Sequence, residues 1–335
     1  MNSRGAFAIS LSLLVPACGG GGAGGPTGPS AVTTRSVTFV AFLDENGNKV
    51  LDGNEITRIP NVEIVAGGAR GRTAELTGQT IIQVPEGSQT LDVTAASLPV
   101  FYRPPATSMI SVPSSTTINV PITLPLGSSA QPNVYMAFGD SITNGEPEVG
   151  DGQGYRAILQ AMLRAHFGSG AILNEGIDAT RSDAGEERLG ERLAADRPAF
   201  TLIFYGVNDY NDRRCNYDLL PCFTTDSLRS MIRQIRGAGG HAFIGTITPV
   251  NVGYDDRAPE SRNGWVDLQN FYLRQMADQE GAVIVDLNTA FVKSGIPNVD
   301  LFVDHIHPKA VGYQIMAQTW YNAITQAYSR ILSDF

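Results

Sequence analysis

The chain has 335 residues, 42% hydrophobic and only 17% charged, which is enough apolar material for a large buried core and for more than one folded region. A formal net charge of -9 without any long basic run excludes nucleic acid and an anionic membrane surface as the main partners. Small molecules or neutral polymers fit better.

At the N-terminus, Arg4 followed by the apolar residues 6–15 reads as an export signal, because the apolar run is too short to span a bilayer. Val15-Pro16-Ala17-Cys18 then sets a small residue before a cysteine. This resembles the lipobox of bacterial lipoproteins, with Pro16 as a departure, and the resemblance implies cleavage before Cys18 and a lipid on its thiol. A plain secretory signal is the other reading. Residues 19–32 are rich in glycine and read as a flexible tether that cannot pack a core. The expected location is the bacterial cell envelope, as a lipoprotein of the outer membrane or surface, or the medium. A lipid anchor would be the only membrane contact.

Residues 33–126 change to short runs rich in Val, Ile and Thr at 36–42, 62–65, 80–84, 90–94 and 117–124, separated by Gly, Pro, Asn and Asp. That pattern predicts a smaller all-β sandwich domain. Phe42-Leu-Asp-Glu-Asn-Gly-Asn-Lys-Val-Leu-Asp-Gly-Asn-Glu55, Ile59-Pro60-Asn61-Val62 and Val84-Pro85-Glu86-Gly87 resemble the B-type repeats of bacterial surface proteins. Asp44, Asn46, Asn48, the Val50 carbonyl and Glu55 stand at positions one, three, five, seven and twelve of a calcium loop, so one structural Ca²⁺ is expected. The glycine usual at position six is Lys49. An Asn/Gly-rich turn held by its own side-chain hydrogen bonds is the alternative.

Residues 127–133 read as a linker, and 134–335 as the second domain. There strands at 134–138, 171–174, 201–205, 241–247 and 283–287 alternate with helices at 155–166, 184–195, 226–236, 264–280 and 309–331. This rhythm predicts a doubly wound parallel five-stranded sheet with helices on both faces, a three-layer α/β/α arrangement. Neither an internal repeat nor a glycine-rich phosphate signature occurs.

The first strand ends in Gly139-Asp140-Ser141, at the sheet edge where open α/β folds place their chemistry. Ser141 reads either as a nucleophile or as a helix N-cap or turn residue. Asp304-His305-Ile306-His307-Pro308 supplies the base and carboxylate that a serine hydroxyl needs, with His305 competing with His307. Phe302 and Val303 beside them are read as an acyl-pocket floor or as core. Glu146, Glu148 and Asp151 follow the serine and, as an acidic entrance, would disfavour anionic esters. Cys215 and Cys222, in one polar segment of an exported chain, are expected to form a disulfide. His166 and His241 read as structural.

Four blocks in order carry a resemblance to the SGNH hydrolases, also called GDSL esterases: Gly139-Asp140-Ser141-Ile142-Thr143, Asn174-Glu175-Gly176, Gly206-Val207-Asn208-Asp209, and Asp304-His305-Ile306-His307-Pro308. The resemblance implies a catalytic Ser141, His307 as base and Asp304 as its partner. It also implies an oxyanion hole from the Ser141 and Gly176 N–H groups and the Asn208 amide, with Asp209 fixing the loop. The expected function is a serine esterase acting on short acyl esters, including carbohydrate acetyl esters, through an acyl-enzyme and without a catalytic cofactor. An acyltransferase on the same scaffold, or a non-catalytic glycan- or calcium-binding surface lipoprotein, are the alternatives.

Overall fold

The structure is a computed structural model that describes residues 32–113, 117–145, 154–215 and 220–327. Cys18 with its lipobox-like stretch, and Glu146, Glu148 and Asp151, lie outside them. The described residues from Thr34 onward form one compact unit.

The strand-rich N-terminal region holds two sheets. In the first, β1 (Thr34–Leu43) pairs antiparallel with β4 (Gln79–Pro85) and parallel with β7 (Thr117–Ile122). The second is antiparallel, in the order β3 (Ala69–Arg72), β2 (Glu63–Ala66), β5 (Gly87–Val93), β6 (Ser108–Val112). Neither β3 nor β6 stands out in composition. β3 is held by the hairpin at Gly67-Gly68, whose φ values of 54° and 84° give the two-residue turn that matches strand twist.

The larger sheet is wholly parallel, in the order β12 (Val283–Val285), β11 (His241–Gly245), β10 (Pro198–Phe204), β8 (Gln131–Gly139), β9 (Ala171–Gly176). Every residue of central β10 is buried, as a strand covered on both faces requires. The helices are α1 (Ser141–Asn144), α2 (Gly154–Phe167), α3 (Ser182–Asp196), α4 (Phe223–Gly237), α5 (Ser261–Glu280), α6 (Leu287–Lys293), α7 (Asn298–Leu301) and α8 (Ala310–Thr325). α4 shows how they attach: Leu228, Met231, Ile232 and Ile235 are buried at one helical stripe, and the opposite face is polar.

Two features position the site. The first strand, β8, lies between β9 and β10, so the winding reverses there and opens a crevice at the carboxyl ends. The strand ends also align, because Gly139 is the register partner of both Phe204 and Gly176. One row across three strands therefore releases the segments that carry Ser141, Gly176 and Asn208.

The opposite, amino edge is covered by the strand-rich region. Phe101 stacks on His241 with centroids 4.1 Å apart and stands edge-on to Phe243 at 5.7 Å. Tyr102 stacks with Phe167 and Phe200, and Tyr135 with Phe200. Main-chain bonds cross as well, from Arg58 N to Phe167 O and from Leu76 N to His166 O. The expected linker is held in place, with Gly127 N on Gly239 O and residues 131–133 already inside β8. All three sheets share one hydrophobic core.

Candidate active site

β8 ends at Gly139, and Asp140 takes the N-cap position of α1, its Oδ1 accepting from Ile142 N at 3.0 Å. That settles one choice left open above: the cap is Asp140, and the Ser141 hydroxyl is free for another partner. The Asp304–His307 turn builds that partner locally. Asp304 Oδ1 accepts from the amides of Ile306 at 2.8 Å and His307 at 2.7 Å, and Oδ2 lies 2.8 Å from His307 Nδ1. His307 Nε2 is 2.8 Å from Ser141 Oγ. With Nδ1–H donating to the carboxylate, the Nε2 lone pair faces the serine hydroxyl. Burial would raise the Asp304 pKa, but the bonds from the His307 ring, the His307 amide and the Ile306 amide outweigh it and hold the carboxyl well below its ordinary range.

His305 goes elsewhere. It is 4% exposed, 3.8 Å from Asp304 Oδ2 and 4.0 Å from Asp255 Oδ2 at Nδ1, without a hydrogen bond there. Burial lowers its pKa and keeps the ring neutral. Phe302 is core, 1% exposed and 5.5 Å from the Phe291 ring, so it cannot floor an acyl pocket. His166 bonds Tyr321 Oη through Nδ1, and His241 Nε2 bonds Pro125 O.

The other two blocks converge on the serine. Gly176 leaves no room for a side chain, since a Cβ would overlap the Asn144 amide and stand 2.8 Å from Asp140 O. Its N–H donates to Asn174 Oδ1 at 3.0 Å. Asn208 Nδ2 donates to Thr180 O at 3.1 Å and lies 3.5 Å from Asp140 Oδ2. In this form both expected oxyanion donors have internal acceptors, which an incoming charge has to share or displace. Beside Asn208 opens a polar cavity of about 460 Å³ lined by Ala179, Arg181, Asn208, Asn211, Asp212 and Arg213.

Beneath Asn208, Asp209 is fully buried and accepts from Ser182 N at 2.9 Å, Ser182 Oγ at 2.5 Å and Thr224 Oγ1 at 2.6 Å. Thr224 Oγ1 also meets both sulfurs of the Cys215–Cys222 disulfide. Burial raises the Asp209 pKa against these bonds. It pushes the Asp140 carboxyl up to about 7, opposed by the Ile142 amide and by His307 and assisted by Asp209.

Two arginines that sequence reasoning passed over hold this edge. Arg188 on α3 donates through Nη2 to Glu175 O at 2.6 Å, Tyr205 Oη at 2.8 Å and Gly139 O at 3.2 Å. Arg262, fully buried on α5, donates to Val207 O at 2.8 Å and Arg257 O at 2.6 Å and covers the Tyr210 ring. A signal for Arg262 was available: it opens the stripe Arg262, Trp265, Val266, Gln269, and a cation on a buried helical face needs a specific acceptor.

In the calcium-like loop Lys49 has φ 64°, the left-handed bend that position six requires. Asp44 accepts from the amides of Gly47 and Lys49, and Glu55, 1% exposed, from those of Glu45 and Asp52. Asn46 and Asn48 both donate to Asp52 Oδ2. Among the described residues no three His, Cys, Asp or Glu groups converge as a metal set, so a cation here would depend on amide and main-chain oxygens as well. Asn46 Oδ1 accepts from Asn48 N at 2.9 Å and Asn48 Oδ1 from Val50 N at 2.7 Å, so the loop is held by its own side-chain hydrogen bonds, and a cation would have to displace them.

The order of strands and the placement of four blocks at one edge define an SGNH-like α/β fold. The GDSL-like Lipase/Acylhydrolase family model matches residues 137–315, and the chain belongs to that family. Among solved structures it is similar to LAE5, an alpha/beta hydrolase enzyme from the metagenome of Lake Arreo, at 21% identity over 59% of this chain and 97% of that one, with a TM-score of 0.47. Axe2, an acetylxylan esterase from Geobacillus stearothermophilus, is 22% identical over 59% and 96%, with a TM-score of 0.48. The lipase/acylhydrolase from Enterococcus faecalis is 21% identical over 58% and 95%, with a TM-score of 0.45. No curated protein matches the chain.

Proposed function

We propose that the protein is a serine ester hydrolase working through an acyl-enzyme. The observation that carries this reading is the chain Ser141 Oγ, His307 Nε2, His307 Nδ1, Asp304 Oδ2, with both gaps at 2.8 Å. Ser141 Oγ attacks the ester carbonyl carbon while His307 Nε2 takes its proton. The carbonyl oxygen becomes an oxyanion and draws on the Ser141 and Gly176 N–H groups and the Asn208 amide. His307 then returns the proton to the leaving alcohol oxygen. Water attacks the acyl-enzyme by the same route, and Ser141 is regenerated. Asp304 keeps the imidazole in the right tautomer and balances its charge.

The substrate is a short acyl ester, including acetyl esters of carbohydrate. Support comes from the polar cavity beside Asn208 and from Phe302 being unavailable as an acyl floor. The chain acts outside the cytoplasm, tethered through a lipid on Cys18. A calcium ion held by Asp44, Asn46, Asn48, the Val50 carbonyl and Glu55 would stiffen the loop as a structural ion only. Adding calcium to chelator-treated protein would raise the melting temperature and leave turnover alone. A panel of p-nitrophenyl esters of increasing chain length tests the main reading. Steep preference for acetyl supports it, and no turnover with any ester refutes it. Transfer of acetyl to an added sugar in place of water would identify a transferase instead.

A further inference from the structure

Arg188 is 17% exposed in its side chain, yet its one strongly placed carboxylate contact, Nη1 to Glu175 Oε2, is long at 3.4 Å. Its short bonds go to carbonyl and hydroxyl oxygens. The Glu175 carbonyl, at 2.6 Å, belongs to the same peptide group as the Gly176 N–H. The Gly139 carbonyl, at 3.2 Å, ends the strand from which Asp140 and Ser141 emerge. Gly139 and Gly176 are register partners on neighbouring strands, and Ile177 N also donates to Gly139 O at 3.0 Å. One guanidinium, with its carbon 4.0 Å above the Phe138 ring, thus joins carbonyls at the carboxyl ends of the two strands that deliver the nucleophile and the glycine donor.

We propose that Arg188 is a positioning residue of the oxyanion site, fixing the spacing between Gly176 and Ser141 and polarising the Glu175–Gly176 peptide so that its N–H is a stronger donor. The inference rests on the Ser141 chemistry proposed above. A cation on a peptide oxygen draws electron density from the amide, and hydrogen bonds in a chain strengthen one another away from water. The benefit grows as negative charge develops on the substrate oxygen, so it appears in the transition state more than in the bound substrate. Geometry also explains the residue type. A flat fork can reach both carbonyls and Tyr205 while lying on Phe138, whereas an ammonium offers one point charge.

Steady-state hydrolysis of p-nitrophenyl acetate by the full chain, alongside binding of phenylboronic acid, tests this in wild type and in Ser141→Ala, Arg188→Met, Arg188→Lys and Arg192→Gln. The boronic acid adds the Ser141 oxygen to boron and so mimics the tetrahedral anion. Arg188→Met should lower kcat roughly tenfold to hundredfold, below the full loss of a donor, with KM nearly unchanged. Boronate affinity should fall by the same factor, Arg188→Lys should recover part of both, and added guanidinium should restore part of the Met variant. Arg192→Gln, which removes a Glu175 ion pair but touches neither carbonyl, should stay near wild type. Wild-type kcat in a folded Arg188→Met, or boronate affinity unchanged while kcat falls, overturns the proposal, as does an equal loss in Arg192→Gln. An inactive wild type, or an active Ser141→Ala, would instead overturn the hydrolase reading itself.

Discussion

The two edges of the parallel sheet are built to opposite ends. At the carboxyl edge β8 and β9 stop in glycine, Asp140 and Ser141 follow the first of them, and arginines from outside the sheet hold the carbonyls of Gly139, Glu175 and Val207 there. Toward the amino edge the same sheet carries Phe200 and His241, and the strand-rich region lays Phe101 and Tyr102 against them. Parallel strands gather all their carboxyl ends on one side, so closing the other side with apolar contact leaves the reactive edge free of structural duty. The N-terminal region therefore reaches the enzyme from behind. None of its contacts given above touches Ser141, Gly176, Asn208 or His307.

The sharpest way to break this comparison is at the carboxyl edge. Ser141→Ala should cost on the order of 10⁴-fold or more in kcat with an unchanged melting temperature, and His307→Ala should be comparable. His305→Ala should retain most turnover while losing stability, because it is packed and buried away from the serine. A dead His305→Ala with an active His307→Ala would mean the wrong imidazole had been placed on the serine.

At the amino edge the expected effect is on stability alone. Phe101→Ala removes the stack on His241 and the contacts to Phe200 and Phe243, and because Phe101 is only partly buried should cost less than a full core truncation, about 2 kcal/mol, read by denaturant unfolding, with kcat unchanged. A fragment starting at Gly127 should fail to fold for the same reason. Such a fragment would uncover the aromatic faces of Phe200, His241 and Phe243. A soluble, active fragment would show the seam to be dispensable.

Smaller effects sharpen the picture. Replacing Cys215 and Cys222 by serine opens a loop of eight residues, for which chain entropy predicts a loss of about 2.5 kcal/mol. Turnover should fall only a few-fold, since the disulfide reaches Asn208 indirectly, through Thr224 and Asp209. Unchanged kinetics would make the bridge purely structural. The smallest effect concerns pH. Asp140 is held at about 7 by burial, so the folded chain keeps a proton that the unfolded chain releases near pH 4. Its contribution to stability is full below that unfolded value and is lost as pH rises through about 7. Asp304 runs the other way, contributing above about pH 4 and losing it on acidification. Asp140→Asn keeps a cap for α1 and should flatten the fall in melting temperature between about pH 5 and 7. An equal slope in both proteins would place the proton elsewhere.

Much of the fold was legible because its signals are local. The apolar run ending at Gly139-Asp140-Ser141 and the βαβ spacing each reflect a periodicity or a turn carried by neighbouring residues. β3 and β6 were not legible, since Ala69–Arg72 and Ser108–Val112 become strands by pairing with β2 and β5 and not by composition. α8 ends at Thr325 among the described residues, six short of the expected 331.

By itself the sequence determined which chemical groups are present and in what order, because a nucleophile, a base three residues from its carboxylate, and donor blocks at strand ends are short motifs. The Asp304–His307 contact could be anticipated for that reason, as a turn closes it. Tertiary structure alone decided that Asp140 and not Ser141 caps the helix, and that Phe302 belongs to the core. It also decided that Arg188 holds the Gly139 and Glu175 carbonyls of two neighbouring strands, that Arg262 holds the Val207 carbonyl beyond the end of β10, and that Phe101 closes the amino edge. Those contacts join residues dozens of positions apart, where the distance between side chains is set by strand register and layer packing, which no local pattern encodes.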